Sequence, residues 1–106
     1  ERSRYLFAGR TGGDGRSQMS YRIEFTKSYM KDFRKLDRYT RELVLAWIRK
    51  NLSGIDDPRR IGKALTGNRK GYWRYRIGDY RLICMIEDEK LLILTLNIGH
   101  RREIYQ

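Results

Sequence analysis

The sequence lacks most of what staples, anchors or metallates a small protein. A single cysteine, Cys84, rules out an internal disulfide, and its place in the apolar run Leu82-Ile83-Cys84-Met85-Ile86 predicts a buried thiol of a cytosolic protein. The longest apolar run, Leu43 to Ile48, is six residues, far short of the roughly 20 that a membrane-spanning helix needs. One histidine, His100, leaves one side chain with an ordinary pKa near neutrality. Acids are scarce, and their clusters, Asp56-Asp57 and Glu87-Asp88-Glu89, have no His or Cys at ligand spacing. The expectation is a protein with neither metal nor cofactor.

Basic residues are abundant. Lys and Arg number 24 against 13 Asp and Glu, a formal net charge of +11 on 106 residues. Such an excess attracts polyanions: nucleic acid first, an acidic protein or membrane surface second. The length suits one domain with a single modest core. Residues 1–18 hold four of the ten glycines and no helix or strand periodicity, so they read as a disordered or appended leader before a domain of residues 19–106. Setting aside the leader's four arginines and two acids leaves a net charge of +9, so the basic character belongs to the domain.

From Met19 the pattern is compact. Tyr21 to Phe25 alternates as a strand. Thr26 or Ser28 can cap a first helix with Tyr29, Met30, Phe33 and Leu36 on its apolar face, and Asp37 or Thr40 a second carrying Leu43, Val44, Trp47, Ile48 and Leu52. Phe33 and Trp47 read as core, and the two helices as an antiparallel pair. Asp57-Pro58 predicts a short helical turn running to Leu65 and stopped by Gly67. Two hairpin strands follow, then a turn at Asp88-Glu89-Lys90 and an apolar strand from Leu91 to Ile98. The predicted fold is α+β, with two N-terminal helices on one face of a small, mostly antiparallel four-stranded sheet.

The hairpin carries the most information. Gly78-Asp79 between alternating runs predicts a two-residue type II′ turn. That register sets Arg76 opposite Arg81 and Arg74 opposite Ile83, and puts Arg74, Arg76 and Arg81 on one face. Like charges facing each other across a hairpin destabilise it. A chain that tolerates them is expected to hold an anion there, phosphate foremost. Trp73 and Tyr75 alternate to the other face and are expected in the core, whereas Tyr72 and Tyr80 could offer stacking surfaces to splayed bases. His100 follows the last strand, whose end could lie beside the arginine face.

Three blocks, Leu65-Thr66-Gly67, Trp73 to Leu82 and Gly99-His100-Arg101-Arg102-Glu103-Ile104-Tyr105, together resemble the RelE/ParE superfamily of toxin–antitoxin toxins, on its RelE side. The resemblance runs from about Met19 to the end. It implies a ribosome-dependent endoribonuclease that cuts messenger RNA in the A site by attack of a ribose 2′-hydroxyl on its own 3′-phosphate, without metal. It implies ribosome and mRNA as partners, and an acidic RelB-like antitoxin over the basic face. Carried over by similarity, the catalytic set is Arg81, Arg101, His100 and Tyr105, with Arg74, Arg76 and Arg102 binding phosphate. Arginines stand where many relatives carry lysines, and arginine is a poor base. The proton carriers are left among His100, Tyr105, a reluctant arginine acid and the ribosome or RNA itself. Two other functions remain open: a ParE-like inhibitor of DNA gyrase, and a non-catalytic nucleic-acid-binding module.

Overall fold

The computed structural model of the protein describes residues 4–6 and 20–100. Along the chain come β1 (Arg4–Leu6), β2 (Arg22–Thr26), α1 (Lys27–Arg34), α2 (Arg38–Asn51), β3 (Lys63–Ala64), β4 (Trp73–Ile77), β5 (Tyr80–Glu87) and β6 (Leu92–His100). The strands form one sheet in the order β1-β2-β6-β5-β4-β3. Only β2 and β6 are parallel; the other neighbours are antiparallel. The α+β class stands, with two strands more than the four expected. One of them, β1, falls within residues 1–18.

Helix α1 grows directly out of β2. Thr26 ends the strand in extended conformation, and its Oγ1 accepts the backbone N–H of Tyr29 (3.1 Å) while donating to the Thr95 carbonyl (2.8 Å). One hydroxyl thus caps the helix and ties its start to β6. Asp37, also extended, opens α2. Tyr29, Val44 and Ile48 from the helices meet Ile23, Tyr75, Ile77, Leu82, Cys84, Ile93 and Ile98 from the sheet in one core. Phe33 and Trp47 pack against it half-buried, so both expectations for aromatic packing hold. Phe25, Tyr29 and Phe33 stack in series, with ring centroids 4.8 and 5.7 Å apart.

Strand β6 is the spine. Its first half pairs with β2, from Arg22↔Leu92 to Phe25↔Thr95. Where β2 gives way to α1, Asp32 takes over as neighbour: its Oδ2 accepts the Ile98 N–H and the Asn97 amide, each at 3.1 Å. A bulge between Ile83 and Cys84 shifts the β5–β6 register and leaves Leu96 as the extra residue.

The segment after α2 departs from expectation. No helical turn runs to Leu65. Residues 58–62 are instead pinned to β4, the Tyr75 hydroxyl donating to the Pro58 carbonyl (2.7 Å) and the Trp73 indole N–H to that of Ile61 (2.8 Å). The chain then pairs as β3, Lys63↔Arg74 and Ala64↔Trp73. Gly67 opens a short 3-10 turn rather than stopping a helix. The Asp57-Pro58 signal was local, and side-chain donors from a strand distant in sequence overrode it.

Two predictions follow from this loop. Gly62 has φ +88°, and a Cβ there would lie 2.5 Å from both the Arg74 carbonyl oxygen and the Trp73 Nε1. Gly78 has φ +61° with open space around it. Gly78→Ala should therefore cost the left-handed strain alone, about 1–2 kcal/mol, and Gly62→Ala about 3 kcal/mol or more, as read by urea unfolding. The second concerns Asp88, which accepts from Arg59 Nη1 (2.9 Å) and the Tyr21 hydroxyl (2.7 Å) and joins the loop to the β5–β6 turn. Arg59 first, and Tyr21 after it, hold its carboxyl below the usual range. A carboxylate with a depressed folded pKa stabilises above the ordinary value of about 3.9 and loses that contribution as pH falls through the folded value. Asp88→Asn should lower stability at pH 7 by about 0.5–1 kcal/mol, the Arg59 and Asp88 side chains both being half-exposed. Thermal melts of the two proteins should begin to converge as the pH falls below about 4 and meet only below the folded pKa.

Candidate nucleic-acid interface

The β4–β5 register matches expectation throughout: Trp73↔Cys84, Arg74↔Ile83, Tyr75↔Leu82, Arg76↔Arg81 and Ile77↔Tyr80. Gly78 supplies the positive φ at the first turn position while Asp79 stays out of that region, as a type II′ turn requires. Tyr75, Ile77, Leu82 and Cys84 then point to the helices, and Arg74, Arg76 and Arg81 to the other face. Tyr75 and Cys84 are fully buried, and burial pushes phenol and thiol well above their usual ranges. Neither ionises near neutrality, so Cys84 is no nucleophile.

The three arginines differ in depth. Arg76 is exposed, Arg74 half-buried, and Arg81 only 4% exposed. Its Nη1 lies 3.4 Å from the Tyr80 carbonyl oxygen. Arginine cannot shed its proton in a protein, so Arg81 keeps a full positive charge where water screens it little. Across the next strand Arg81 faces Gly99, a position with no side chain. Arg76, Arg81 and Gly99 thus form a row over three strands, an exposed cation, a buried cation and a glycine.

Beside them the centre of that face is apolar. Ile83, Leu94 and Leu96 form a second buried cluster, joined by Leu65, Tyr72 and Met85. Charge returns at its margins, where Lys63 pairs with Arg74 and Glu24 with Leu94, and Tyr72 serves this cluster instead of standing free. Tyr80 packs partly against the main core.

His100 is placed differently from expectation. Its register partner is Tyr80, and the two rings meet edge to face at 5.6 Å and 77°. Partners in an antiparallel pair share a face, and Tyr80 alternates with Arg81. His100 therefore stands at the end of the arginine strands but on the opposite side of the sheet. The structure brings Arg74, Arg76 and Arg81 together and separates His100 from them. Arg101, Arg102 and Tyr105 lie outside the described residues.

The sequence reading missed a cleft of about 450 Å³ at the outer edge of β4, where Trp47 and Asn51 of α2 face Lys63 and the arginine strand. The sequence pattern places Lys63 in a helical turn, whereas the structure puts it in β3. The one local signal was Gly62, whose backbone demand cannot be recognised without its neighbours. Among the described residues no group of His, Cys, Asp or Glu is arranged to hold a metal ion, and no helix is long and apolar enough to cross a membrane.

Comparison with known proteins agrees with this architecture. A family model described as the ParE toxin of type II toxin–antitoxin systems (parDE) matches residues 23–105. Toxin RelG of Mycobacterium tuberculosis is 33% identical over 88 residues, covering 83% of this chain and 99% of the relative. The mRNA interferase toxin RelE of Escherichia coli is 29% identical over 90 residues, covering 82% and 92% respectively. The crystal structure of a RelBE toxin–antitoxin complex from Mycobacterium tuberculosis aligns with a TM-score of 0.71 at 30% identity, over 82% of this chain and 98% of that one. With its hairpin arginines in register and its fold shared along most of its length, the chain belongs to the RelE/ParE family of type II toxin–antitoxin toxins, on the RelE side.

Proposed function

We propose that the protein is a ribosome-dependent endoribonuclease that cleaves messenger RNA in the A site and so stops translation. The observation that carries this reading is the sunken guanidinium of Arg81 beside exposed Arg76. In-line attack of a 2′-hydroxyl forms a bond from O2′ to phosphorus and breaks the one to O5′. The 2′-hydroxyl loses its proton, the leaving 5′-oxygen gains one, and negative charge gathers on the phosphoryl oxygens between. Cations fixed in advance at low dielectric stabilise that charge more than the ground state. Arginine suits the task because its planar fork spans two phosphate oxygens. Arg81 is the charge-stabilising group in this reading, Arg76 and Arg74 hold the flanking backbone, and Arg101, Arg102 and Tyr105 are carried over by similarity alone. The RelE of Escherichia coli is named an mRNA interferase, which supports the same chemistry here.

The partners of this reading are the ribosome, messenger RNA and an antitoxin. Several solved relatives are complexes of RelE with RelB. A cell must silence such a basic face, and an acidic amphipathic segment that folds on contact fits it. The reaction takes place in the cytoplasm, where ribosomes are.

The test is to express the protein and map messenger 5′ ends by primer extension. Cuts inside translated codons are expected. Intact messenger with trapped gyrase–DNA breaks would overturn the reading in favour of a ParE-like poison. Arg81→Met keeps the packed stem but removes the charge. It should retain or gain thermal stability while single-turnover cleavage on programmed ribosomes falls by about 10²–10³-fold. A variant that folds and cleaves at the wild-type rate would remove Arg81 from the chemistry.

His100→Gln makes a separate prediction. A general acid or base contributes about 10²–10⁴-fold. With its ring against Tyr80 on the far face, His100 acts in this reading by bracing the hairpin end. The substitution should slow cleavage by less than about tenfold and leave the shape of the pH–rate profile between about pH 5.5 and 7.5 unchanged. A greater loss with a flattened profile would return proton transfer to His100.

A further inference from the structure

The cleft at the outer edge of β4 exists because β3 is only two residues long. Lys63 and Ala64 pair with Arg74 and Trp73, and there the ladder stops. Gly62, at φ +88°, packs against the Arg74 carbonyl and Trp73. Beyond Arg74 the edge of β4 is left uncovered. In a two-residue hairpin Ile77 and Tyr80 exchange both backbone bonds, so alternation turns the N–H and C=O of Arg76 outward, toward the cleft.

The lining has the composition of a nucleotide site. Trp47 gives a half-buried indole, tilted 52° to the buried Tyr75 ring with centroids 5.8 Å apart. Asn51 donates its Nδ2 to the Trp47 carbonyl (3.0 Å), and its Oδ1 remains an acceptor on the same wall. Lys63 and Arg76 are both exposed at the mouth, and neither takes part in an ion pair among the described residues. At about 450 Å³ the space lies within the range of small-ligand sites. An aromatic wall, adaptable polar groups and two cations make a base-and-phosphate combination.

We propose that this cleft is a nucleotide subsite, which takes the base next to the scissile phosphate against Trp47 and the adjoining phosphate on Lys63 and Arg76. The proposal rests on the RNA-cleaving reading above and deepens it. Arg76 is shared: it lines the cleft and is the direct cross-strand partner of Arg81. An RNA strand held at Arg81 therefore reaches the cleft by crossing a single strand spacing, about 4.8 Å. A peptide strand suits the edge less well. The uncovered stretch of β4 runs only from Tyr75 to Ile77, shorter than the five or six residues of an ordinary strand.

Indole and backbone NMR signals of the full chain test this, with the indole assigned from Trp47→Phe. Adenosine 5′-monophosphate at fixed ionic strength should shift the Trp47 indole and the Lys63 and Arg76 amides saturably. Inorganic phosphate should move only the two amides. A ribotrinucleotide should move these signals together with that of Arg81. Lys63→Gln, an exposed change that leaves the fold alone, should weaken nucleotide binding about tenfold, and Trp47→Leu should abolish the indole-side discrimination between nucleotide and phosphate. A trinucleotide that shifts Arg81 but not Trp47 or Lys63 would overturn the subsite and leave the ribonuclease reading intact. An acidic peptide that shifts the cleft where nucleotides do not would overturn it in favour of protein docking. Silence of both Arg81 and the cleft toward RNA would count against both proposals.

Discussion

Side-chain alternation along β4 and β5, locked by the two-residue turn at Gly78-Asp79, is the constraint from which the rest of the molecule follows. A slip of one residue would bring Tyr75, Ile77, Leu82 and Cys84 out of the core and drive three arginines into it. Burial of those four residues therefore holds the arginine row in place. The repulsion between Arg76 and Arg81 is tolerated because their register is decided on the opposite face. The proposed chemistry depends on the same lock, since in that reading a buried cation is useful only if it cannot move away from the phosphate.

The spine strand passes this constraint to the far end of the sheet. β6 is held by β2 along its first half and by Asp32 along its second. The bulge at Leu96 resets the pairing before the chain reaches Gly99 and His100. Without it Arg81 would face Ile98; with it Gly99 stands there and His100 pairs with Tyr80. The face away from the helices divides accordingly into a buried apolar centre of Ile83, Leu94 and Leu96 and a hairpin corner where Arg76 is exposed.

The loop between α2 and β4 is the other determinant of the site. Two hydrogen bonds from β4 side chains, Tyr75 to Pro58 and Trp73 to Ile61, hold it down without extending the sheet. The shortness of β3 leaves the outer edge of β4 open. The same aromatic residues that fill the core thus shape the cleft outside it.

Much of this was legible in the residues alone. Gly78-Asp79 with its flanking alternation specified the hairpin, its register and the shared face of Arg74, Arg76 and Arg81, because a two-residue turn and a period of two leave no other solution. Thr26 and Asp37, each one of two cap candidates, marked the helix starts: Thr26 caps α1 through its hydroxyl, and Asp37 precedes α2 in extended conformation. The α+β class followed from amphipathic stripes that must be buried somewhere. The burial of Arg81, the turn of His100 toward Tyr80, the conversion of residues 63–64 into a strand and the cleft beside Trp47 were not legible. Each depends on which distant segment packs alongside: the bulge in β6, the donors on β4, the last turn of α2. Local sequence determined what each segment would do alone. Long-range packing decided which side chains share a surface, because that depends on contacts between residues far apart in the chain.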